Sequence, residues 1–246
     1  MKFLVCISKA PDTTTKIDFV DNNTKFNEAG VQYIVNPYDE WYALVRALEL
    51  KETLGGTVTT VTVGTPEDEA IIRKALAIGA DDSVRINADA KDAYYTAFQI
   101  ADFAKKGGYD IVFVGKETIN YNGSQVGGMI AEMMAVPFVS LASKLDLAGN
   151  TATIHKETTG GEEVIELNTP FVISSAKGMA EQRIPNMRGI MAARTKPLQV
   201  VEPAACDQLV SFVSYDLPKT KSACKFVSPD NIAELVNLLH TEAKVI

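Results

Sequence analysis

The chain has 246 residues and a net charge of -7, and 46% of its residues are hydrophobic while 22% are charged. This composition is typical of an ordinary globular protein, and the negative charge argues against binding to nucleic acid, which needs a basic surface. No run of about 18 apolar residues is present, so we expect nothing embedded in a membrane.

The first 86 residues contain two segments that predict buried strands, residues 3–7 and 58–63, and a shorter third strand at 83–86. The run at 3–7 is shorter than the roughly 7 to 15 residues of a signal-peptide core. Residues 18–35 are mixed and resemble a hairpin. Asn36 and Pro37 then fit the N-cap and first position of a helix over 38–54, which Gly55 and Gly56 end.

The next helices are predicted from about residue 67 to 78 and from 90 to 106, and each ends at glycine. Residues 111–115 form a further buried strand, followed by a loop and a helix from about 123 to 134. Strands and helices that alternate with short connections predict an α/β fold with a doubly wound, mainly parallel, Rossmann-like sheet.

Beyond Pro137 the pattern changes. Residues 145–167 predict a hairpin around Gly160 and Gly161, and 171–175 another strand. Residues 182–201 contain four basic side chains and no acid, which indicates either a surface segment with its own role or a plain solvated loop. Residues 202–246 are irregular until a final helix from about 228. We therefore expect a nucleotide-binding domain over 1–201 and an arm over 202–246 that lies on a partner chain.

Residues suited to catalysis or metal binding are few. The two histidines, His155 and His240, lie far from the predicted strand ends, and we expect structural or solvent-facing roles for both. Walker A, GxGxxG and GxSxG motifs are absent. The three cysteines, Cys6, Cys206 and Cys224, show no CxxC spacing, which favours a reduced cytoplasmic protein without a disulfide or metal site. We assign no catalytic residue.

Three predicted strand ends converge instead on one edge of the sheet, at residues 6–8, 63–64 and 115–116, with residues 123–127 opening a helix beside them. The free N–H groups and positive dipole end of such a helix favour a phosphate. An adenine nucleotide is one interpretation. The other is a glycine turn that only lets a helix pack closely.

Several motifs occur together in one order: NPY at residues 36–38, IRKALAIGAD at 72–81, GKETI at 115–119, SQVG at 124–127 and RGIMAARTKP at 188–197. Together they closely resemble the β subunit of electron transfer flavoprotein, over essentially the whole chain. The resemblance implies a heterodimer with an α subunit that holds most of the FAD site. It also implies AMP in the β subunit, and electrons passing from acyl-CoA or other flavin dehydrogenases to an acceptor such as a quinone oxidoreductase.

The resemblance also implies roles for individual residues. Tyr38 would lie near the flavin, and Met187, with Arg188 beside it, would dock partner dehydrogenases. The family usually has a lysine two residues after the position of Cys6, where this chain has Ser8, and a Thr where it has Val126. The AMP pocket would comprise eight residues: Cys6, Asn36, Val63, Gly115, Ser124, Gln125, Val126 and Gly127.

Two alternatives to a simple electron shuttle stay open. A flavin-bifurcating relative would hold a second FAD in the β pocket in place of AMP. A non-redox adenine-nucleotide-binding module would share the sheet but act without an α subunit.

Overall fold

The computed structural model describes residues 1–37, 39–119, 121–221 and 223–246. Its strands within these ranges are β1 (Lys2–Cys6), β2 (Lys9–Pro11), β3 (Phe19–Val20), β4 (Lys25–Phe26), β5 (Tyr33–Val35), β6 (Thr57–Gly64), β7 (Asp82–Asn87), β8 (Ile111–Gly115), β9 (Phe138–Ala148), β10 (Thr151–Thr158), β11 (Gly161–Asn168), β12 (Phe171–Ser175) and β13 (Leu198–Val201). Its helices are α1 (Asp39–Leu54), α2 (Glu69–Ile78), α3 (Ala93–Gly107), α4 (Val126–Met134), α5 (Met187–Ala193) and α6 (Ile232–Leu238).

One large sheet has the strand order β11-β10-β9-β12-β8-β1-β6-β7-β13. In this spatial order, all neighbouring strands from β9 through β12, β8, β1, β6 and β7 to β13 are parallel. Within this sheet, β10 is antiparallel to both of its neighbours, β9 and β11. The predicted α/β fold with a mainly parallel sheet and a hairpin is therefore confirmed. The hairpin-like segment at 18–35 is confirmed as well, with β3 antiparallel to β4.

Helices cover both faces of this sheet. In β1, Phe3 and Val5 pack with the apolar residues of α1 and α2, whereas Leu4 and Cys6 pack with those of α3 and α4. Successive side chains of a strand point to opposite faces, so β1 is buried on both sides. Each such fully buried aliphatic or aromatic side chain stabilises the fold by about 1.5–3 kcal/mol.

Two strands of the sheet differ from the sequence-based expectation. β9 was not predicted, and its pattern explains why: polar residues interrupt its apolar residues, which therefore form no continuous run. β13 was not predicted either, and it lies in the acid-free segment 182–201, pairing with β7 from Leu198 opposite Ser83. That segment is therefore not a plain solvated loop, because it also contains α5.

The chain beyond Val201 lies largely in solvent. None of its described residues is buried, and α6 has no buried side chain although Ile232, Leu235 and Val236 are apolar. The predicted final helix is confirmed, and it continues into a short π-helical stretch at Leu239–Ala243. None of the helices in the described part of the chain is both long and apolar enough to cross a lipid bilayer.

Candidate functional site

The ends of three neighbouring strands form one edge of the sheet, because β1 lies between β6 and β8. Cys6, Val63 and Gly115 therefore end adjacent strands, as the sequence predicted. Cys6 and Val63 belong to the apolar cluster on the α4 side of the sheet, with Val126 packed against it. Burial raises the pKa of the Cys6 thiol, and the Glu40 carboxylate raises it further, so both effects favour the neutral thiol.

The first turn of α4 provides free hydrogen-bond donors, and a short segment of irregular backbone leads into it. This segment, residues 121–125, is called the α4 turn below. Gln125 is the N-cap of α4, its side chain makes no capping bond, and the first backbone bond is Met129 N to Gln125 O at 3.2 Å. Among the described residues, the N–H groups of Val126, Gly127 and Gly128 have no acceptor. Three amides at the positive end of a helix suit an anion.

The helix begins later than the sequence indicated, at Val126 instead of about residue 123. The cause lies in the α4 turn, where Asn122 and Ser124 have φ values of 48° and 52°. Left-handed conformations of this kind interrupt a right-handed helix. Ser124 and Gln125 are exposed, and Ser124 Oγ lies 3.5 Å from Glu117 Oε2, so its hydroxyl sits at the open side of the turn.

Gly115 and Gly127 are required by packing. A Cβ at Gly115 would lie 2.9 Å from Glu40 Cγ and 3.2 Å from Asp39 Cβ, so this glycine lets the start of α1 approach β8. A Cβ at Gly127 would lie 2.7 Å from Val114 Cγ2 and 2.9 Å from Phe138 Cε2. The close-packing interpretation of the glycine turn is thus correct for Gly127, while its backbone N–H still faces no protein acceptor.

Asn36 has a different task from the helix N-cap that the sequence predicted. Its buried carboxamide donates to Glu117 O at 2.9 Å and accepts from Ile119 N at 3.2 Å. The N-cap prediction is therefore wrong, because the side chain is used by the loop that follows β8. Asn36 fixes the first part of the connection between β8 and α4.

The basic side chains at this edge are paired with carboxylates. Lys9, which follows Ser8, lies with its Nζ 2.9 Å from Asp68 Oδ1. Lys116 Nζ lies 2.8 Å from Glu117 Oε1. Arg85 follows the same rule: its Nε lies 3.2 Å from Glu69 Oε1. The edge is therefore not a cationic surface, and an anion here would depend mainly on backbone amides.

Two acidic residues in the first turn of α1 were missed in the sequence. Glu40 is buried and accepts hydrogen bonds from Ser8 N and Ser8 Oγ, both at 2.6 Å. Burial raises the pKa of Glu40 to about 8 although the Ser8 bonds oppose the shift. Burial also raises the pKa of Asp39, which accepts from Glu117 N at 3.1 Å. The Asp-Glu pair right after the NPY motif was the available signal.

The remaining predicted residues lie elsewhere or outside the described residues. Tyr38 is outside them. Met187 and Arg188 are exposed in the first turn of α5, whose N-cap Asn186 accepts from Gly189 N at 2.8 Å. α5 packs on α2, because a Cβ at Gly189 would lie 2.4 Å from Ala77 O. These two residues are thus not part of the strand-end crevice.

The histidines bond to residues outside the strand-end crevice. His155 Nδ1 lies 3.1 Å from Glu162 Oε1 across the β10–β11 pair, and His240 Nδ1 lies 2.9 Å from Ile246 O. A cavity of about 330 Å³ lies between the end of α2 and residues 183–196, and one of about 250 Å³ lies near Asp82 and Tyr109. Neither is lined by a residue of the predicted AMP pocket.

Comparison with known proteins agrees with this architecture. The model of the electron transfer flavoprotein domain matches residues 23–206. The electron transfer flavoprotein subunit beta of Bacillus subtilis is 34% identical over the full length of both chains. That of Syntrophomonas wolfei is 36% identical over 91% of this chain and 88% of its own. The acryloyl-CoA reductase electron transfer subunit gamma of Anaerotignum propionicum is 32% identical over 82% of this chain and 78% of its own.

A match of this extent, over the predicted α/β fold with a mainly parallel sheet, identifies an electron-transfer protein related to flavoproteins. The chain belongs to the electron transfer flavoprotein family and aligns with its β subunits.

Proposed function

We propose that the chain is the β subunit of a heterodimeric electron transfer flavoprotein. It would take electrons from acyl-CoA or other flavin dehydrogenases and pass them to an acceptor such as a quinone oxidoreductase. The names of its relatives, which are β subunits of such flavoproteins or an electron transfer subunit of acryloyl-CoA reductase, support this role.

The β subunit would hold AMP in the strand-end crevice. The observation behind this proposal is the group of three N–H donors at Val126, Gly127 and Gly128, which have no acceptor among the described residues. Since the cations at Lys9 and Lys116 are already paired, the donor set suits a single phosphate group better than a triphosphate. Cys6 and Val63 would form the apolar wall of the pocket.

Four of the eight pocket residues would then contact or border the phosphate: Ser124, Gln125, Val126 and Gly127. Gly115 and Asn36 would support them, because Gly115 admits α1 and Asn36 holds the loop after β8. Val126 lacks the hydroxyl of the threonine that the family usually has at this position. In this proposal phosphate binding does not need that hydroxyl, because backbone amides supply the contacts.

FAD, held mainly by the α subunit, would supply the redox chemistry, with Tyr38 beside it. The chain itself would perform no acid–base step. His155 and His240 bond to residues outside the crevice, and the buried Glu40 carboxyl accepts hydrogen bonds from Ser8. Its role would be to bind, orient and exclude water around a neighbour's flavin.

Residues 1–201 would form the nucleotide-binding domain, and 202–246 an arm on the α subunit, in a cytoplasmic complex. The exposed apolar residues of the arm support this assignment, with Leu217, Phe226 and Val236 as examples. Large apolar side chains that are exposed in an isolated chain are typical of a protein–protein interface.

Nucleotide extraction from the purified heterodimer tests the proposal. The expected content is about one flavin and one AMP per dimer. Two flavins without AMP would identify a bifurcating relative instead. If the chain expressed without an α subunit is a stable monomer that binds ATP, the subunit role is wrong and a non-redox nucleotide-binding module replaces it.

A further inference from the structure

The first part of the arm, residues 202–215, is bound to the domain of its own chain. The buried Gln99 carboxamide donates to Ala204 O and accepts from Ala204 N, both at 2.8 Å. Farther along, Asp92 Oδ2 accepts from Leu209 N at 2.7 Å and Val210 N at 2.8 Å. Asp92 is also the N-cap of α3, so these bonds lay the arm along the side of α3 and on to its N-terminal end.

Four aromatic rings then form a continuous stack that joins the arm to the β3–β4 hairpin on one side and to the α4 turn on the other. Phe19 of the β3–β4 hairpin stacks on Tyr215 with ring centroids 4.9 Å apart, and Tyr215 on Phe212 at 5.3 Å. Phe212 in turn stacks on Tyr121 at 5.8 Å. We call these four residues the ring ladder. Tyr215 N also donates to Asn23 O at 2.7 Å, which fixes the hairpin end of the ladder.

The other end of the ladder is the α4 turn itself, since Tyr121 is its first residue. Asn122 and Ser124 hold left-handed backbone conformations that non-glycine residues adopt only at an energetic cost. Within the described residues, the only side-chain hydrogen bond of 122–125 is the long one from Ser124 to Glu117, at 3.5 Å. The Tyr121 ring on Phe212 is therefore the contact that ties this turn to the arm.

We propose that the ring ladder is a latch through which the C-terminal arm holds the α4 turn in its phosphate-binding conformation. Phe212 and Tyr121 are positioning residues in this device, since they act through the turn. The inference rests on the proposed AMP site. It adds that the rate of nucleotide release depends on a stack formed by the arm, and not only on the crevice.

Phe212 is the residue to change, because its ring contacts both Tyr215 and Tyr121. In Phe212→Ala we expect AMP to dissociate about tenfold faster, which corresponds to about 1.4 kcal/mol. Phe212→Tyr keeps the ring and should restore the wild-type rate. Val213→Ala is the matched control, because Val213 follows Phe212 in the same part of the arm, is 82% exposed and has no ring to stack.

The measurement is the release of labelled AMP from the purified complex with the α subunit after dilution into unlabelled AMP. Far-UV circular dichroism and thermal melting of each variant show whether the fold is intact. If Phe212→Ala is poorly folded, Tyr121→Leu serves as a second variant from the other side of the same contact. The double variant should then release AMP no faster than the faster single one, since both changes break one stack.

The outcomes separate the two proposals. Equal release rates for the wild type, Phe212→Ala and Tyr121→Leu would overturn the latch while leaving the AMP site intact. An effect of Val213→Ala as large as that of Phe212→Ala would also overturn it, because the arm would then act without the stack. A wild-type complex that holds no AMP would contradict the proposed AMP site, and the latch with it.

Discussion

Ser8 donates two hydrogen bonds to the buried Glu40 carboxyl, from N to Oε2 and from Oγ to Oε1, each at 2.6 Å. The pair joins the short connection between β1 and β2 to the first turn of α1. Because Glu40 also lies against Gly115 of β8, the contact fixes α1 over two adjacent strand ends. A buried carboxyl with few solvent contacts is most stable when protonated.

We predict that the stability of the protein falls as pH rises from about 5 to 8, in part because of Glu40. Its pKa is raised from 4.5 to about 8 in the folded state, chiefly by burial. The folded state thus holds a proton that the unfolded state releases above pH 4.5. Its contribution is complete below that pH and lost as pH rises through 8, at up to about 1.4 kcal/mol per pH unit.

Glu40→Gln isolates this contribution. A glutamine can accept from Ser8 N and donate to Ser8 Oγ, so it retains both bonds without titrating. Urea unfolding at pH 5, 6, 7 and 8 should show a smaller loss of unfolding free energy for the variant than for the wild type. Parallel curves would mean that Glu40 does not titrate in this range.

Gly127→Val should destabilise the fold by about 1–3 kcal/mol and lower the melting temperature by about 2–4 °C for each of these kcal/mol. A side chain at this position would overlap Val114 and Phe138, which anchor α4 to the sheet. AMP retention should fall with it. Thermal melting and nucleotide content of the same preparation give both quantities.

Gly123→Ala is the matched control for Gly127→Val. No atom lies within 4 Å of a Cβ built at Gly123, and its φ is outside the left-handed region. The alanine variant should melt within about 1 °C of the wild type. If Gly127→Val were equally silent, α4 would not pack against β8 and β9 as described here.

The Asn36 carboxamide offers a test of the loop after β8. In Asn36→Leu, Glu117 O and Ile119 N lose their partner, so we expect a loss of about 1–3 kcal/mol in unfolding free energy. AMP affinity should also fall, because this loop leads to the α4 turn. Asn237→Leu on exposed α6 is the control, and we expect it to change stability by less than about 0.5 kcal/mol. A stable Asn36→Leu protein would show that the loop needs no such support.

Four of the parallel strands, β1, β6, β8 and β12, could be predicted from the sequence because each is a short run dominated by apolar and β-branched residues. Such runs are typical of strands that are buried on both faces of a sheet. β9 is not of this kind, because only three of its residues, Val139, Ala142 and Leu145, are buried and they lie three positions apart. β13 has four residues at the edge of the sheet, none of them buried, so its sequence lacks the apolar signal.

Only the part of the candidate site that is formed by the ends of neighbouring parallel strands could be predicted from the sequence. Parallel strands end at one edge, so Cys6, Val63 and Gly115 were expected to meet. The support of Asn36 for the loop after β8 joins residues 81 positions apart, and the bond from Ser8 to Glu40 spans 32. Local patterns do not specify such partners. The same applies to Phe212 and Tyr121, whose stacking depends on the path of the arm.

Met187→Asp should impair reduction by the partner dehydrogenase, by an order of magnitude or more in kcat/KM, without loss of stability or nucleotide. Met187 is 73% exposed in the first turn of α5, so a charge there removes apolar contact with a partner and buries nothing in the chain itself. Val164→Asp, at an exposed apolar position on β11 across the sheet, is the matched control and should leave the rate unchanged. Rates are measured by flavin reduction in stopped flow, with the melting temperature and FAD and AMP content checked in parallel. If Met187→Asp loses the α subunit or its nucleotides, α5 belongs to the subunit interface instead, because a docking surface for a transient partner would leave the heterodimer intact.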